Sequence, residues 1–169
     1  MIQTKEKTYT QKTLELLSDN KIMVNAEEKY LPVKSHQEDA GFDCKAKLEE
    51  PLTLKAGSFV TVPLGFKVAI PFNYVGDIRP RSGHMSKHGV LVGYGTVDAG
   101  YIGEVKATLF NFSDKDFVIE DGMRIAQLVV LPLTNYAADI KKPLLLSEVD
   151  EAELPVADRG DNGFGSTGH

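Results

Sequence analysis

At 169 residues, the chain is long enough for one domain with a full core and too short for two comfortable ones. Its hydrophobic fraction of 42% and its charged fraction of 25% are typical of a globular protein. The formal net charge of −5 argues against a general binder of nucleic acid or of anionic membranes, because either would be expected to present a basic surface.

The chain has a single cysteine, Cys44, which excludes an intrachain disulfide and a cysteine-based metal cluster. A buried structural thiol is the expected role of this residue. The N-terminus lacks the apolar core of a signal sequence, and no apolar run approaches transmembrane length. These features predict a cytoplasmic protein.

The chain order predicts an all-β domain. Residues 1–20 are polar and are expected to form an N-terminal extension. From residue 21 to residue 155, short apolar runs alternate with proline and glycine, which is typical of a β-sandwich or barrel and not of βαβ units. No long amphipathic helix is predicted. Outside the central hairpin, the predicted strands are Ile22–Val24, Tyr30–Val33, Leu52–Leu54, Phe59–Val62, Phe66–Ile70, Asp116–Ile119 and Arg124–Leu131.

A glycine-rich stretch lies at the centre of the chain. The apolar runs Gly89–Val92 and Glu104–Phe110 predict the two arms of a hairpin around Gly93–Gly103. Glycines let a backbone approach a ligand closely, and Asp98, near Tyr101, is a candidate general base. A glycine-rich hairpin with a capping aspartate is the simpler interpretation of the same residues.

A second candidate cluster is Arg81-Ser82-Gly83, in which a guanidinium, a hydroxyl and an open amide follow one another. These groups suit a phosphate. Ser82 is interpreted as a hydrogen-bond donor, because no serine-hydrolase signature surrounds it. His84 and His88 have the spacing of a metal pair, but a third ligand and a predicted helix are both missing.

Two further polar features allow alternative interpretations. Asp39 and Asp43 flank a glycine, which indicates a turn before a strand or a pair of carboxylates that holds the waters of a Mg²⁺ ion. Gln127 interrupts an apolar strand. Its amide faces solvent if the strand is at an edge, and it points at a ligand if the strand is central.

The C-terminal segment changes character. It is rich in acidic residues and then in glycine, and it has little apolar surface to compensate for the entropy of ordering. A disordered end is the default expectation. Arg159, Ser166 and Thr167 offer a charge and hydroxyls for a phosphate, and Phe164 can stack on a planar ring. Residues 156–169 therefore resemble a flexible lid that orders on its ligand.

Taken together, five segments resemble the five motifs of the trimeric dUTP diphosphatase (dUTPase) family, in the order of that family. The similarity covers roughly residues 21–169. The segments are Asp39–Asp43, Pro80–Gly83, Gly95–Glu104, Gly122–Leu128 and Arg159–Gly168.

The resemblance implies a jelly-roll-like β-clip fold that assembles as a homotrimer with three shared active sites. In that family the first, second and fourth motifs come from one subunit, the third from another, and the fifth, on the flexible tail, from the remaining one. It also implies hydrolysis of dUTP to dUMP and pyrophosphate with Mg²⁺. That reaction limits uracil in DNA and supplies dUMP for dTMP synthesis.

The roles implied by the resemblance fall into three groups. Asp98 would activate the attacking water with help from Gln127, and Asp43 would hold the hydrated Mg²⁺ through water. The remaining residues would bind substrate: Gly93, Tyr94 and Gly95 the uracil, Tyr101 the deoxyribose, Arg81, Ser82 and Gly83 the phosphates, and Arg159, Phe164, Gly165, Ser166 and Thr167 of the lid the terminal phosphate and the base.

Several alternatives stay open. A related dCTP deaminase would carry a glutamate where this chain has Thr108, and it would lack the glycine-rich tail. A dUTPase-like regulatory module that binds a protein partner is the alternative from another class. Arg124 is assigned either to a structural pairing with a carboxylate or to the site, whereas Arg79 matches no motif and is expected to face solvent.

Overall fold

A computed structural model of the chain describes residues 21–133, 145–148 and 150. The predicted N-terminal extension (residues 1–20) and the predicted lid (residues 156–169) therefore lie outside the described residues. None of the helices in the described part is long and apolar enough to cross a membrane.

The described residues form an all-β fold, as the sequence predicts. One short α-helix, α1 (Ser82–His88), and one 3-10 turn (Glu28–Tyr30) accompany the strands. The strands are β1 (Lys21–Ala26), β2 (Phe42–Lys45), β3 (Leu52–Leu54), β4 (Phe59–Ala69), β5 (Tyr74–Pro80), β6 (Val90–Val92), β7 (Gly95–Val97), β8 (Glu104–Asn111), β9 (Phe117–Ile119), β10 (Arg124–Pro132) and β11 (Leu145–Glu148).

Two larger sheets enclose the core. The first has the strand order β11-β1-β4-β8-β6 and the second the order β2-β10-β5-β7, while β3 and β9 form a separate pair. All described pairings are antiparallel except that of β1 with β11. Buried residues of both sheets, such as Phe66, Leu109 and Leu128, belong to one hydrophobic cluster. Each such side chain stabilises the fold by roughly 1.5–3 kcal/mol.

The central hairpin is confirmed, with an addition that the sequence did not indicate. Strand β6 pairs with β8, so that Val92 lies opposite Leu109. Between these arms, β7 leaves the first sheet and pairs with β5 of the second, where Gly95 lies opposite Ile78. The glycine-rich stretch therefore crosses from one sheet to the other, which places its glycines at the edge between them.

Two strand predictions were wrong. The run predicted over Tyr30–Val33 ends a 3-10 turn, and only Val33 makes a bridge, with Asp43. The runs predicted as two strands, at Phe59 and at Phe66, are one strand, β4. Its register shifts near Pro63, which has no N–H to donate, and the backbone passes through a glycine with a positive φ of 74° at Gly65.

The prediction for Cys44 is confirmed, because its side chain is completely buried on β2, which pairs with β10. Burial raises the pKa of the Cys44 thiol well above its usual value. A thiol in this environment stays protonated and is a poor nucleophile.

Candidate functional site

A polar cavity of about 620 Å³ forms where β2, β10 and α1 meet. It brings together three clusters that the sequence analysis singled out separately. Its lining includes residues 39–41 with Asp43, residues 81–84, and Gln127. The first, second and fourth of the predicted motifs thus share one cavity within a single chain.

Gln127 is held in place by the sheet. Strand β10 lies between β2 and β5, so Gln127 has Asp43 and Arg79 as direct cross-strand neighbours. Its Nε2 donates a hydrogen bond to the carbonyl oxygen of Pro80 at 2.9 Å. A Cβ on Gly41 would stand 2.6 Å from the Gln127 Oε1. The strand is central, which is the condition under which the sequence predicts that the amide points at a ligand.

Asp43 binds two arginines. Its Oδ1 accepts a hydrogen bond from the Arg81 Nε at 2.8 Å, and its Oδ2 accepts one from the Arg124 Nη1 at 3.1 Å. The Asp43 side chain is only 13% exposed. Arg124 also donates to the Ser35 hydroxyl at 3.0 Å. The structure therefore favours the structural assignment of Arg124, which holds the first motif through a carboxylate.

The same contacts limit how Asp43 can serve a metal ion. Arg81 Nη2 donates a further bond to its Oδ2 at 3.3 Å, so three of its roughly four lone pairs are occupied. Two guanidinium groups on one carboxylate leave a local excess of positive charge. Within the described ranges, no group of three or more His, Cys, Asp or Glu side chains could hold a metal ion. One Asp43 lone pair is left, so these residues fit a Mg²⁺ ion that Asp43 holds through a water and not one that they bind directly.

His84 and His88 do lie on a helix, α1, contrary to the sequence-based expectation. Their rings pack against Phe117, with ring centroids 5.6 and 5.3 Å away. His84 Nε2 also lies 2.7 Å from the carbonyl oxygen of Arg124. The described part of the chain offers them no third ligand. Packing and hydrogen bonding thus account for both imidazoles without a metal.

Arg79 is partly exposed, and its guanidinium is also paired within the sheet. Its Nη2 pairs with Asp77 at 2.9 Å, its side chain is 35% exposed, and its Nε is buried without a hydrogen-bond partner. Cross-strand neighbours lie on the same face of a sheet, so Arg79 extends the row that Asp43 and Gln127 begin.

A second cavity, of about 450 Å³, opens at the edge between the sheets. Its lining includes Gly93, Tyr94, Gly95 and Tyr101, the residues predicted to bind the base and the sugar, together with Phe110.

The backbone and Tyr101 shape this second cavity. The Gly93 N–H donates to the carbonyl oxygen of Thr108 at 2.8 Å. The Tyr101 hydroxyl donates to the carbonyl oxygen of Glu104 at 2.9 Å and crosses so close to Gly103 that a Cβ there would lie 2.5 Å from it. Only glycine allows this approach. Tyr101 is fixed in a buried position, whereas Tyr94 is 78% exposed.

Asp98 lies on the turn that follows β7. It is half-buried, and its carbonyl oxygen accepts the Tyr101 N–H at 3.0 Å. Its neighbour Val97 lines the second cavity, but Asp98 itself lines neither cavity. No residue lines both cavities, so within one described chain Asp98 and Gln127 do not share a cavity. Arg159, Phe164, Gly165, Ser166 and Thr167 lie outside the described residues.

The sequence analysis missed two residues of the first cavity. Ser35 holds Arg124, and Lys87 lines the cavity from α1. The helix could have been found from Gly89, which follows two basic residues and adopts the left-handed conformation of a helix C-cap. Once the helix is predicted, the four-residue spacing from Gly83 to Lys87 places these two residues on the same face of it.

Comparisons with known proteins agree on one family. The sequence model of the dUTPase family matches residues 27–168. The deoxyuridine 5'-triphosphate nucleotidohydrolase of Rickettsia akari is 42% identical over 140 residues, which cover 82% of this chain and 88% of that protein.

Solved structures give the same result. A mutant dUTPase of Staphylococcus bacteriophage 80alpha, with dUpNHpp, is 26% identical with a TM-score of 0.61 over 88% of this chain and 98% of that one. A mutant dUTPase from phage phi11 of S. aureus, which coordinates a structural Mg(II) ion, is 24% identical with a TM-score of 0.61. That match covers 72% of this chain and 95% of that one, and it shows the shared fold.

Proposed function

This chain belongs to the dUTPase family and is a dUTP diphosphatase. We propose that it hydrolyses dUTP to dUMP and pyrophosphate with Mg²⁺, and that Asp98 activates the attacking water. The observation that carries the proposal is the first cavity, where Arg81, Ser82 and Gln127 converge around one space. Such a reaction would limit uracil in DNA and supply dUMP, and we expect it to take place in the cytoplasm.

The first cavity would bind the phosphate chain. Arg81 has five N–H donors, and its bonds to Asp43 and to the carbonyl oxygen of Arg124 use three of them. The remaining two, with the Ser82 hydroxyl and the Gly83 amide, are available to phosphate oxygens. Mg²⁺ carried by the phosphates would neutralise the charge that builds on the leaving pyrophosphate. Asp43 would hold one water of that ion while it orients Arg81.

The second cavity would bind the nucleoside. A slot lined by peptide groups can reject the methyl group of thymine by its shape. The Gly93 N–H already bonds to Thr108, so Gly93 would read the base through its carbonyl oxygen, with Tyr94 and Gly95 completing the slot. Tyr101, fixed by Glu104, would pack under the deoxyribose and leave no room for a 2′-hydroxyl.

We propose that three copies of the chain share each active site in the manner of the family. Two observations support sharing. The phosphate-type residues and the base-type residues line different cavities. In addition, Phe59 and Phe112 are 69% and 66% exposed beside Phe110, which lines the second cavity. Exposed aromatic groups of this kind favour contact with another copy.

We further propose that residues 21–155 form the β domain and that residues 156–169 close over the nucleotide. Arg159, Ser166 and Thr167 would hold the terminal phosphate, and Phe164, with Gly165, would cover the base. Residues 1–20 would remain an extension of this domain.

Release of pyrophosphate from dUTP, dTTP, dCTP and UTP, each with and without Mg²⁺, tests the reaction. Release from dUTP alone, stimulated by Mg²⁺, supports the reaction together with the base and sugar assignments. No release from any of the four refutes hydrolysis and favours a nucleotide-sensing regulatory module. Asp98→Asn should abolish turnover and keep dUpNHpp binding, and a joint loss of both would mean that Asp98 holds the site together instead.

Subunit mixing tests whether sites are shared. Asp98→Asn and Gln127→Ala chains are each expected to be inactive. When they are dissociated and reassembled together, about a quarter of the sites would combine an intact Asp98 from one copy with an intact Gln127 from another. Recovery of roughly that fraction of activity supports sharing. A mixture as inactive as its components places both residues in one copy.

A further inference from the structure

The helix α1 presents one cation to the first cavity that no role yet explains. Lys87 lines the cavity together with Arg81, Ser82 and Gly83. It lies in the last turn of α1, and its side chain is exposed. Of the lysines and arginines in the cavity lining, Arg81 is bound to Asp43, whereas the Lys87 side chain makes no ion pair or hydrogen bond with any described residue.

The geometry of α1 directs Lys87 towards the open part of the cavity. Residues four positions apart lie on one face of a helix, and a helical side chain leans over the preceding turn. The preceding turn holds Gly83, and a Cβ placed on Gly83 would meet no atom within 4 Å. The amino group of Lys87 can therefore reach the empty space above the Ser82–Gly83 backbone.

The charged side chains of the cavity lining balance one another before a substrate binds. The lining holds two carboxylates, Asp39 and Asp43, and two permanent cations, Arg81 and Lys87. The Asp39 carboxylate accepts the His36 N–H at 2.9 Å, and the Asp43 carboxylate is shared by two arginines. A triphosphate would add several negative charges, which the committed Arg81 can only partly offset.

We propose that Lys87 binds the phosphates at the leaving, pyrophosphate end of the nucleotide, an assignment that rests on the proposed hydrolysis of dUTP. Lys87 acts as a point charge beside the planar fork of Arg81. Because charge builds on the leaving pyrophosphate, Lys87 would strengthen binding of the phosphate chain and would also lower the barrier of the chemical step.

The carboxylates on the other side of α1 do not pair with Lys87. Lys87 also borders a shallow groove that contains Asp114 and Asp116. Neither carboxylate makes an ion pair with it, and Asp116 is already bound to Lys55 at 2.7 Å.

The test compares Lys87→Met, which removes the charge and keeps much of the volume, with Lys87→Arg, which keeps the charge. Lys115→Met serves as the matched control, because Lys115 is an exposed lysine that does not line the cavity. Each variant is assayed for dUTP hydrolysis and for binding of dUpNHpp, inorganic pyrophosphate and dUMP by calorimetry, and thermal unfolding confirms that each is folded.

We expect Lys87→Met to raise the KM for dUTP about tenfold and to lower kcat by a smaller factor of about three. The Kd values for dUpNHpp and pyrophosphate should rise by a similar factor of about ten, while that for dUMP stays unchanged. Lys87→Arg should recover most of the loss, and Lys115→Met should behave as the unsubstituted chain.

Two results would overturn the assignment. The first is a Kd for dUpNHpp that Lys87→Met leaves within about twofold of the unsubstituted value, given that one charge-assisted hydrogen bond is worth more. The second is an equal loss of affinity for dUMP, which lacks the leaving phosphates. The proposed hydrolysis has a separate test: it fails if the unsubstituted chain releases no pyrophosphate. The role of Lys87 would still be tested in that case, by the binding of dUpNHpp and pyrophosphate.

Discussion

Replacement of Asp43 by asparagine separates two roles for this carboxylate. The sequence assigns Asp43 to the waters of a Mg²⁺ ion, whereas the structure shows it bound to Arg81 and Arg124. Asp43→Asn keeps the size of the side chain and one acceptor oxygen but removes the negative charge. Two guanidinium groups then face each other without a counter-charge, so we expect a loss of stability even when Mg²⁺ is absent.

The size of the loss follows from exposure. A hydrogen bond to a charged group contributes about 1.5–3 kcal/mol when it is shielded, and an exposed ion pair about 0–1 kcal/mol. The Arg81 pair, with side chains 33% and 13% exposed, belongs near the lower end of the first range. The Arg124 side chain is 47% exposed and belongs to the second range. Together they give about 2 kcal/mol, which lowers Tm by about 4–8 °C for a chain of this size.

Thermal unfolding at fixed protein concentration, without Mg²⁺, measures this loss. Asp116→Asn is the matched control, since it removes an ion pair to Lys55 whose side chains are 70% and 44% exposed, and it should lower Tm by only about 1–2 °C. The reasoning is refuted if Asp43→Asn is no less stable than Asp116→Asn. A normal Tm combined with a weaker apparent affinity for Mg²⁺ in the turnover assay would restore the metal role as the main one.

Three further predictions follow from particular contacts. Gly41→Ala should lower kcat about tenfold with little change in Tm, because the new Cβ would displace the Gln127 amide. An unchanged kcat would mean that Gln127 takes no part in the mechanism. The N–H of Leu48, with further donors, lowers the pKa of Asp121 to about 2. The folded pKa is depressed, so this stabilisation is complete above pH of about 4 and is lost as the pH falls towards 2. The stability gap between the unsubstituted chain and Asp121→Asn in urea unfolding should close over that window, and a gap independent of pH would contradict it. Phe112→Ser should raise the monomer fraction in analytical ultracentrifugation, because it removes an exposed aromatic group that is proposed to contact another copy. An unchanged fraction of monomer would place that contact elsewhere.

Much of the fold could be predicted because several strands are marked by their apolar residues. Strand β10 is the clearest case, since Ile125, Ala126, Leu128 and Val129 are all buried. A strand that is covered on both faces has a continuous apolar sequence, so it can be recognised without knowing which strands it pairs with.

Strand β5 escaped the sequence analysis because polar residues and glycine interrupt it. Tyr74, Gly76 and Ile78 point inward, while Asp77 and Arg79 lie on the outer face and pair with each other. The period of two was present in the sequence, but a small residue in the inward series hid it.

The grouping of the site residues could not be predicted from spacing. The family motifs identified Asp43, Arg81 and Gln127 one by one, yet their contacts depend on β10 lying between β2 and β5. Strand neighbours that are distant in sequence are set by the packing of whole sheets, which short motifs do not encode. The assignment of both arginines to Asp43 is a consequence of that packing.

The arrangement around Asp43 explains why the proposed phosphate cavity contains a carboxylate that is mostly buried. Without Asp43, Arg81 and Arg124 would repel each other, and the Arg81 fork would keep only its bond to the carbonyl oxygen of Arg124. With it, three of the Arg81 donors are engaged, and the two that remain would have a fixed direction for a phosphate under the proposed function. The carboxylate reduces the positive charge that attracts the substrate, and a separate, unpaired cation must then supply it. Lys87, on the neighbouring helix, is in the position to do so.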